Sequence, residues 1–201
     1  MKDGRADPAA FNSDVLDWAV STNRGDIVKA LLRDNRVNPA ELNNRDIRRA
    51  ARLGYTDIVQ DLLNQPKVDP SDVGNAAIRD AAENNHLETV KLLLKDPRVL
   101  NGEKITPALN SALRNRNLEM IKLLLNAPNV EVGLVNYADL LASLNEGYIE
   151  IVQAFLSNDR VAVNELWGRL SPVLEAHPDT REKLIEWARK SGNDRLSILA
   201  Q

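Results

Sequence analysis

The 201-residue chain contains no cysteine. Disulfides and thiolate metal sites are therefore excluded, and the composition fits a reducing compartment. Aromatic residues make up only 4% of the chain, so its core must be built from Leu, Ile, Val and Ala. There are two histidines, His86 and His177. Far apart and without cysteine, they offer no zinc ligand set. No apolar run approaches the ~20 residues that a membrane-spanning helix needs. The opening MKDGRADPAAF lacks the apolar stretch of a secretory signal. A net charge of −3 gives no global pull toward nucleic acid or membrane. Alternating apolar and polar runs are missing, so strands are not expected. G-x-S-x-G, P-loop and G-x-G-x-x-G motifs are missing too. These absences lead to an expectation of no catalytic residues, no metal site and no cofactor. They also favour a soluble, cytoplasmic protein, with a secreted effector acting in a host cytosol as the alternative.

What the chain does have is a repeat. TDIVQDLLNQPKV starts at Thr56, LETVKLLLKDPRV at Leu87 and LEMIKLLLNAPNV at Leu118, with related stretches from Gly25 and Ile149. Each start lies 31 residues after the one before. Val28, Val59, Val90, Ile121 and Val152 share one slot; Leu31, Leu62, Leu93, Leu124 and Phe155 share the slot three later. With Leu32, Leu63, Leu94, Leu125 and Leu156 they form one helix face. Pro66, Pro97 and Pro128 stop three of these helices. Val37, Val68, Val99, Val130 and Val161 follow as an apolar pin in each loop. An upstream helix carries Leu16, Ile47, Ile78, Leu109 and Leu140, with Ala19, Ala50, Ala81, Ala112 and Ser143 three residues later. Between the two helices stand Asn23, Gly54, Asn85, Arg116 and Gly147, where a left-handed residue would close the first helix. Arg116 is the residue that fits this least well and should be mildly strained. The unit is helix–turn–helix–loop, and only stacking of units buries its apolar face.

Residues 77–94, AIRDAAENNHLETVKLLL, carry a family resemblance. Ala81 and Ala82, then His86, Leu87 and Glu88, then Val90 to Leu94, match the ankyrin pattern A-A-x-x-G-H-L-E-V-V-K-L-L-L. The chain thus resembles a divergent ankyrin-repeat array over 13–164, with a HEAT-like α-solenoid as the other possibility. The usual ankyrin period is 33, and the shorter period here falls in the loops. The resemblance implies an all-α, ankyrin-like solenoid whose β-hairpin fingers are shortened or replaced by short loops. Residues 1–12 read as an N-terminal tail and 13–164 as five repeats. Residues 165–201 read as an extra helix, with Pro172 near its start and Pro178 after its end, followed by a C-terminal capping repeat. In that cap, 184–200 echoes 15–31, so that Trp187 mirrors Trp18 and Gly192 mirrors Asn23.

The core slots repeat, but the opposite face of the first helix changes from unit to unit. It holds Asp14, Asp17, Trp18 and Ser21 in the first unit. In the second it holds Arg45, Arg48, Arg49 and Arg52. The third has Arg79, Asp80 and Glu83, and the fourth has Arg114. The ankyrin resemblance implies that first helices and fingers line a binding groove. Arg45, Arg48, Arg49, Arg52, Arg79, Glu83 and Arg114 are therefore the expected partner-binding residues. The expected function is a non-catalytic protein-interaction scaffold, monomeric alone, whose partner carries an acidic segment. A regulatory or inhibitory module of a larger enzyme or effector system is the alternative. Nucleic-acid binding through the arginine face is weaker, because no aromatic stacking platform accompanies it. Asp46 lies off the arginine stripe and is a poor local answer to its charge, part of which Asp80 and Glu83 of the next unit are expected to supply. Four like charges otherwise also suit a solvated helix surface.

Overall fold

The computed structural model describes residues 12–200. The tail read over 1–12 lies outside the described residues as far as Phe11, and Asn12 already belongs to the first helix. The described residues contain helices and no strand, as expected of an all-α, ankyrin-like solenoid. Helices α1 (Asn12–Ser21) and α2 (Gly25–Leu32) form the first pair, α3 (Glu41–Leu53) and α4 (Thr56–Leu63) the second, α5 (Asp72–Glu83) and α6 (Leu87–Leu93) the third. A five-residue helix α7 (Pro97–Asn101) follows. Then come α8 (Thr106–Arg114) with α9 (Leu118–Leu125), α10 (Tyr137–Asn145) with α11 (Ile149–Ser157), and α12 (Val163–Ala176) with α13 (Pro178–Ser191). A 3₁₀ segment, Asp194–Ala200, ends the described chain.

The described residues form two compact units, one ending at Ala108 and the other beginning at Leu109. In the first, α1, α3 and α5 pack side by side, and α2, α4 and α6 form a second row. Leu16, Ile47 and Ile78 are fully buried, as are Ala19, Ala50 and Ala81, whose small side chains let these helices approach. The second-helix slots are less uniform. Val28, Val59 and Val90 are fully buried, but Leu31, Leu32, Leu63 and Leu94 are only half-buried. In the second unit Leu109, Ala112, Leu140, Ser143, Ile121, Leu124, Val152 and Leu156 are all fully buried. The valine pins are buried in both units.

Every expected left-handed turn is present. Asn23, Gly54, Asn85, Arg116 and Gly147 all have positive φ, Arg116 at 55°. Arg116 has its own compensation: its Nη1 donates to the carbonyls of Leu113 (2.7 Å) and Arg114 (3.2 Å), at the end of its own helix. Its remaining nitrogens grip Glu146 at 3.0 and 2.9 Å.

Where the family has hairpin fingers, this chain has left-handed turns. Leu42, Asn43 and Asn44 have φ of 51–57°, and Val73, Gly74 and Asn75, one period later, have φ of 54–66°. Such a conformation costs an ordinary L-residue roughly 1–2 kcal/mol. The buried asparagines offset part of this cost. Asn44 accepts from the Asp69 amide (2.8 Å) and donates to Asp72 (2.9 Å) in the next loop. Asn75 donates to the carbonyls of Val99 and Glu103 in the loop after that.

A second kind of brace links consecutive loops. Arg98, held by Asp96, donates to the carbonyls of Leu63 (3.1 Å) and Val68 (2.7 Å). Leu63 ends α4, where helix carbonyls lack partners and a cation is favourable. In the second unit, Arg160 reaches the carbonyls of Leu125 and Val130, and Arg195 those of Asn158 and Val161.

The C-terminal expectation needs correction. Pro172 lies well inside α12 instead of near its start, while Pro178 follows the end of α12 as expected and also opens α13. Pro178 is tolerated at a first helical position because the amide it lacks would have no intrahelical partner there. Helix α12 packs on α10 and α13 on α11. Trp187 therefore lies on a helix that packs on α11, the second helix of its pair, whereas Trp18 lies on α1, the first helix of its pair. Only the local echo survives: Gly192 is left-handed like Asn23 and leads into the 3₁₀ segment.

Leu93 is fully buried, while Lys91 is half-exposed and pairs with Glu88 at 2.9 Å. Leu93→Ala is expected to cost roughly 2–5 kcal/mol and Lys91→Ala less than about 0.5 kcal/mol. Urea unfolding of both variants checks this, and equal losses would show that the helix face has been misplaced.

Candidate partner-binding site

Helix α3 carries its arginines at offsets of 0, 3, 4 and 7 because Ile47, Ala50 and Ala51 occupy the buried side. Arg45, Arg48, Arg49 and Arg52 converge on one concavity of about 190 Å³, with Asp80 of α5 completing the wall. Arg79 touches this set through Asp80, at 3.5 Å. Glu83 is exposed on α5 and is not part of the lining. Arg114 belongs to the second compact unit, where it donates to Ser111 (2.9 Å) and lies 4.0 Å from Asp139. The seven expected residues therefore do not form a single cluster: four line a cavity and one adjoins it.

The four arginines do different things. Arg48 donates through Nε to the Asn43 carbonyl (3.1 Å) and through Nη2 to the Leu42 carbonyl (3.2 Å), bracing the left-handed turn of its own helix. Arg45 and Arg49 both turn to Asp17 of α1, at 3.4 and 3.1 Å. Arg49 also donates to Ser21 at 2.7 Å. The Arg52 side chain is exposed and makes no hydrogen bond or ion pair among the described residues. Its carbonyl contacts the Nε2 of His86 at 3.0 Å. That ring fills the space beside Gly54, where an added Cβ would lie 2.7 Å from the His86 Cγ. His86 thus fixes the end of α3 and takes no part in the cavity.

The charge on this face is answered from the preceding unit by Asp17, which the sequence did not point to, and in part from the next unit by Asp80. Asp80 contributes from the next unit, and Arg79 and Arg48 both pull its carboxyl down, but burial outweighs them and holds it above the ordinary value. Asp46 departs furthest from expectation. It lies off the stripe, but only 2% of it is exposed, and its Oδ1 sits 3.8 Å from the Arg45 Nε. Burial pushes its carboxyl up to about 7. Arg45 and Arg49 pull it down, while Asp17 raises it further by charge and by hydrogen bonding to the protonated form. Oδ1 of Asp17, Oδ1 of Asp46 and Nε of Arg45 are all buried without a well-aligned hydrogen bond. The sequence offered one signal for this cluster: Asp17 and Ser21 occupy the first unit's variable face, against which the next unit's arginines stack. Nothing local marked Asp46 as buried.

No group of three metal-ligating side chains occurs among the described residues. None of their helices is long and apolar enough to cross a membrane.

A raised folded-state value means that the native protein holds the Asp46 proton more tightly than the unfolded chain does. The stabilisation from this site is present below the ordinary carboxylate range and is lost as pH rises toward 7. Asp46→Asn keeps the side chain neutral at every pH. It is expected to stabilise the protein by roughly 1–3 kcal/mol at pH 8 and far less at pH 4.5. Calorimetric melting at the two pH values checks this; an equal effect at both would mean that Asp46 is ionised throughout.

A family model described as ankyrin repeats, in three copies, matches residues 47–136 and again 80–165, together more than half of the chain. No curated protein and no solved structure matches the chain.

Proposed function

Because the chain belongs to the ankyrin-repeat family, whose repeats are generally protein–protein interaction modules, we propose that it is a non-catalytic scaffold or adaptor whose α3 cavity receives an acidic segment of a partner protein. The observation that carries this reading is the concavity lined by four arginines and one carboxylate residue, Asp80. Arginine is suited to this role, since its planar fork matches a carboxylate in two parallel hydrogen bonds. Arg52 has its donors available among the described residues, and Arg45 and Arg49 both turn to Asp17. The uniform core slots supply a rigid frame, and the variable face of the first helices supplies the specificity. The same reading takes the protein as a monomer that acts in the cytoplasm.

The test uses a capped hexaglutamate peptide and three proteins: wild type, Arg52→Glu, and Arg48→Glu with Arg52→Glu. Arg52→Glu removes no side-chain hydrogen bond or ion pair among the described residues. The double variant also gives up the two bonds to the left-handed turn. Both variants are expected to associate at least about tenfold more slowly at low salt, with the gap narrowing as salt screens the charges. Identical affinities at every salt concentration, with all three proteins folded, would make the arginine face a solvated surface.

A further inference from the structure

We propose that anion binding in the arginine cavity is coupled to uptake of one proton by the buried Asp46, whose neighbour Arg45 also holds Asp17. This rests on the reading of the cavity as an acidic-segment site and adds its regulation.

The geometry makes the connection. Arg45 and Arg49 line the cavity and are also the two cations that hold Asp17. Arg45 Nε lies between two carboxylates, 3.4 Å from Asp17 and 3.8 Å from Asp46, and is itself buried without a well-aligned hydrogen bond. These guanidinium groups are shared between an internal acid pair and an external ligand. Two ionised carboxylates compete with an incoming anion for them. One proton on Asp46 removes a negative charge from beside Arg45 and loosens the hold on it. The bound anion in turn raises the affinity of Asp46 for that proton, because linkage is reciprocal.

The surroundings allow this. Helices α1, α4 and α5 pack on α3. Helix α1 brings Asp14 and Asp17. From α4 come Asp57 and Asp61, the latter 3.8 Å from Lys29. Helix α5 brings Asp72, bonded to Asn44, then Arg79, Asp80 and Glu83. On α3 itself are Glu41 and the four arginines. Asp80 is the one carboxylate lining the cavity directly, so it adds to the repulsion an anion meets and to the value of shedding a charge nearby. Burial already favours the protonated form of Asp46, so the proton is available near neutral pH.

The same capped hexaglutamate serves as the probe, because its carboxylates stay ionised across pH 6–8. Wild type is expected to bind it more tightly at pH 6 than at pH 8, on the order of fivefold, with a midpoint near neutrality. Asp46→Asn is expected to bind with no such slope. A second measurement needs no ligand. The Asp46 side-chain carboxyl is titrated by carbon NMR in wild type and in Arg48→Glu with Arg52→Glu, where the new glutamates stand in for a bound anion. Its midpoint is expected to rise in the double variant. Peptide binding without a pH slope, or with a slope that persists in Asp46→Asn, overturns the coupling and leaves the acidic-segment reading standing. No peptide binding at any pH overturns the acidic-segment reading, and the coupling is then decided by NMR. An unmoved Asp46 midpoint overturns it.

Discussion

No helix pair in this chain can bury its own apolar face, and that constraint governs the rest. A pair of short helices, such as Thr56–Leu63 behind α3, presents Ile58, Val59 and Leu62 on one side and has too few residues to cover them. The next pair supplies the cover, and the 31-residue period is what keeps the slots in register. The same register places Ala19, Ala50 and Ala81 where adjacent first helices touch. Larger side chains there would force the helices apart. Polar groups follow this logic as well. A helix that stops to turn into the next unit leaves carbonyls unmet, and Arg98 returns from the following loop to meet those of Leu63 and Val68. Asn44 and Asn75 do the equivalent for the left-handed turns that stand in place of fingers.

The same stacking creates the candidate site. Helices α1 and α3 pack side by side, so a change of sign between units becomes a contact between opposite charges on slots offset along the two helices. Asp17 and Ser21 in the first unit meet Arg45 and Arg49 in the second. The arginines are thereby oriented, but not neutralised, since among the described residues Arg48 and Arg52 form no ion pair within 4 Å. Close packing also buries Asp46, a carboxylate that the fold accommodates poorly in its charged form. A scaffold selected only for stability would have no use for a buried acid there. Its position beside Arg45, which also lines the cavity, is what the proposed proton coupling rests on.

Much of the fold was legible in the sequence because a repeat repeats its physics. One slot assignment, tested against five units at once, yields the helix faces, the left-handed turns at Asn23, Gly54 and Asn85, and the buried valine pins. The pattern failed where the repetition stopped. Past Asn164 only a local echo of Trp18 was available, and sequence likeness between helices does not say which row a helix joins; packing of α13 on α11 decided that. Pro172 inside α12 shows the same limit, for a proline's cost to a helix can be absorbed by neighbours that are not visible along the chain.

For the site, the sequence by itself determined that four arginines share one face of α3, because helical spacing is enough to say so. It also determined that this face varies while the core does not. Only the tertiary structure decided which acids answer the arginines. Asp17 lies 28 residues before Arg45, and the stacking of α1 on α3 brings them within 3.4 Å. Asp46 is adjacent to Arg45 in the chain, yet its burial depends on what packs over it. Charge pairing and desolvation act through space, at a few ångströms, and a sequence orders residues only along the chain.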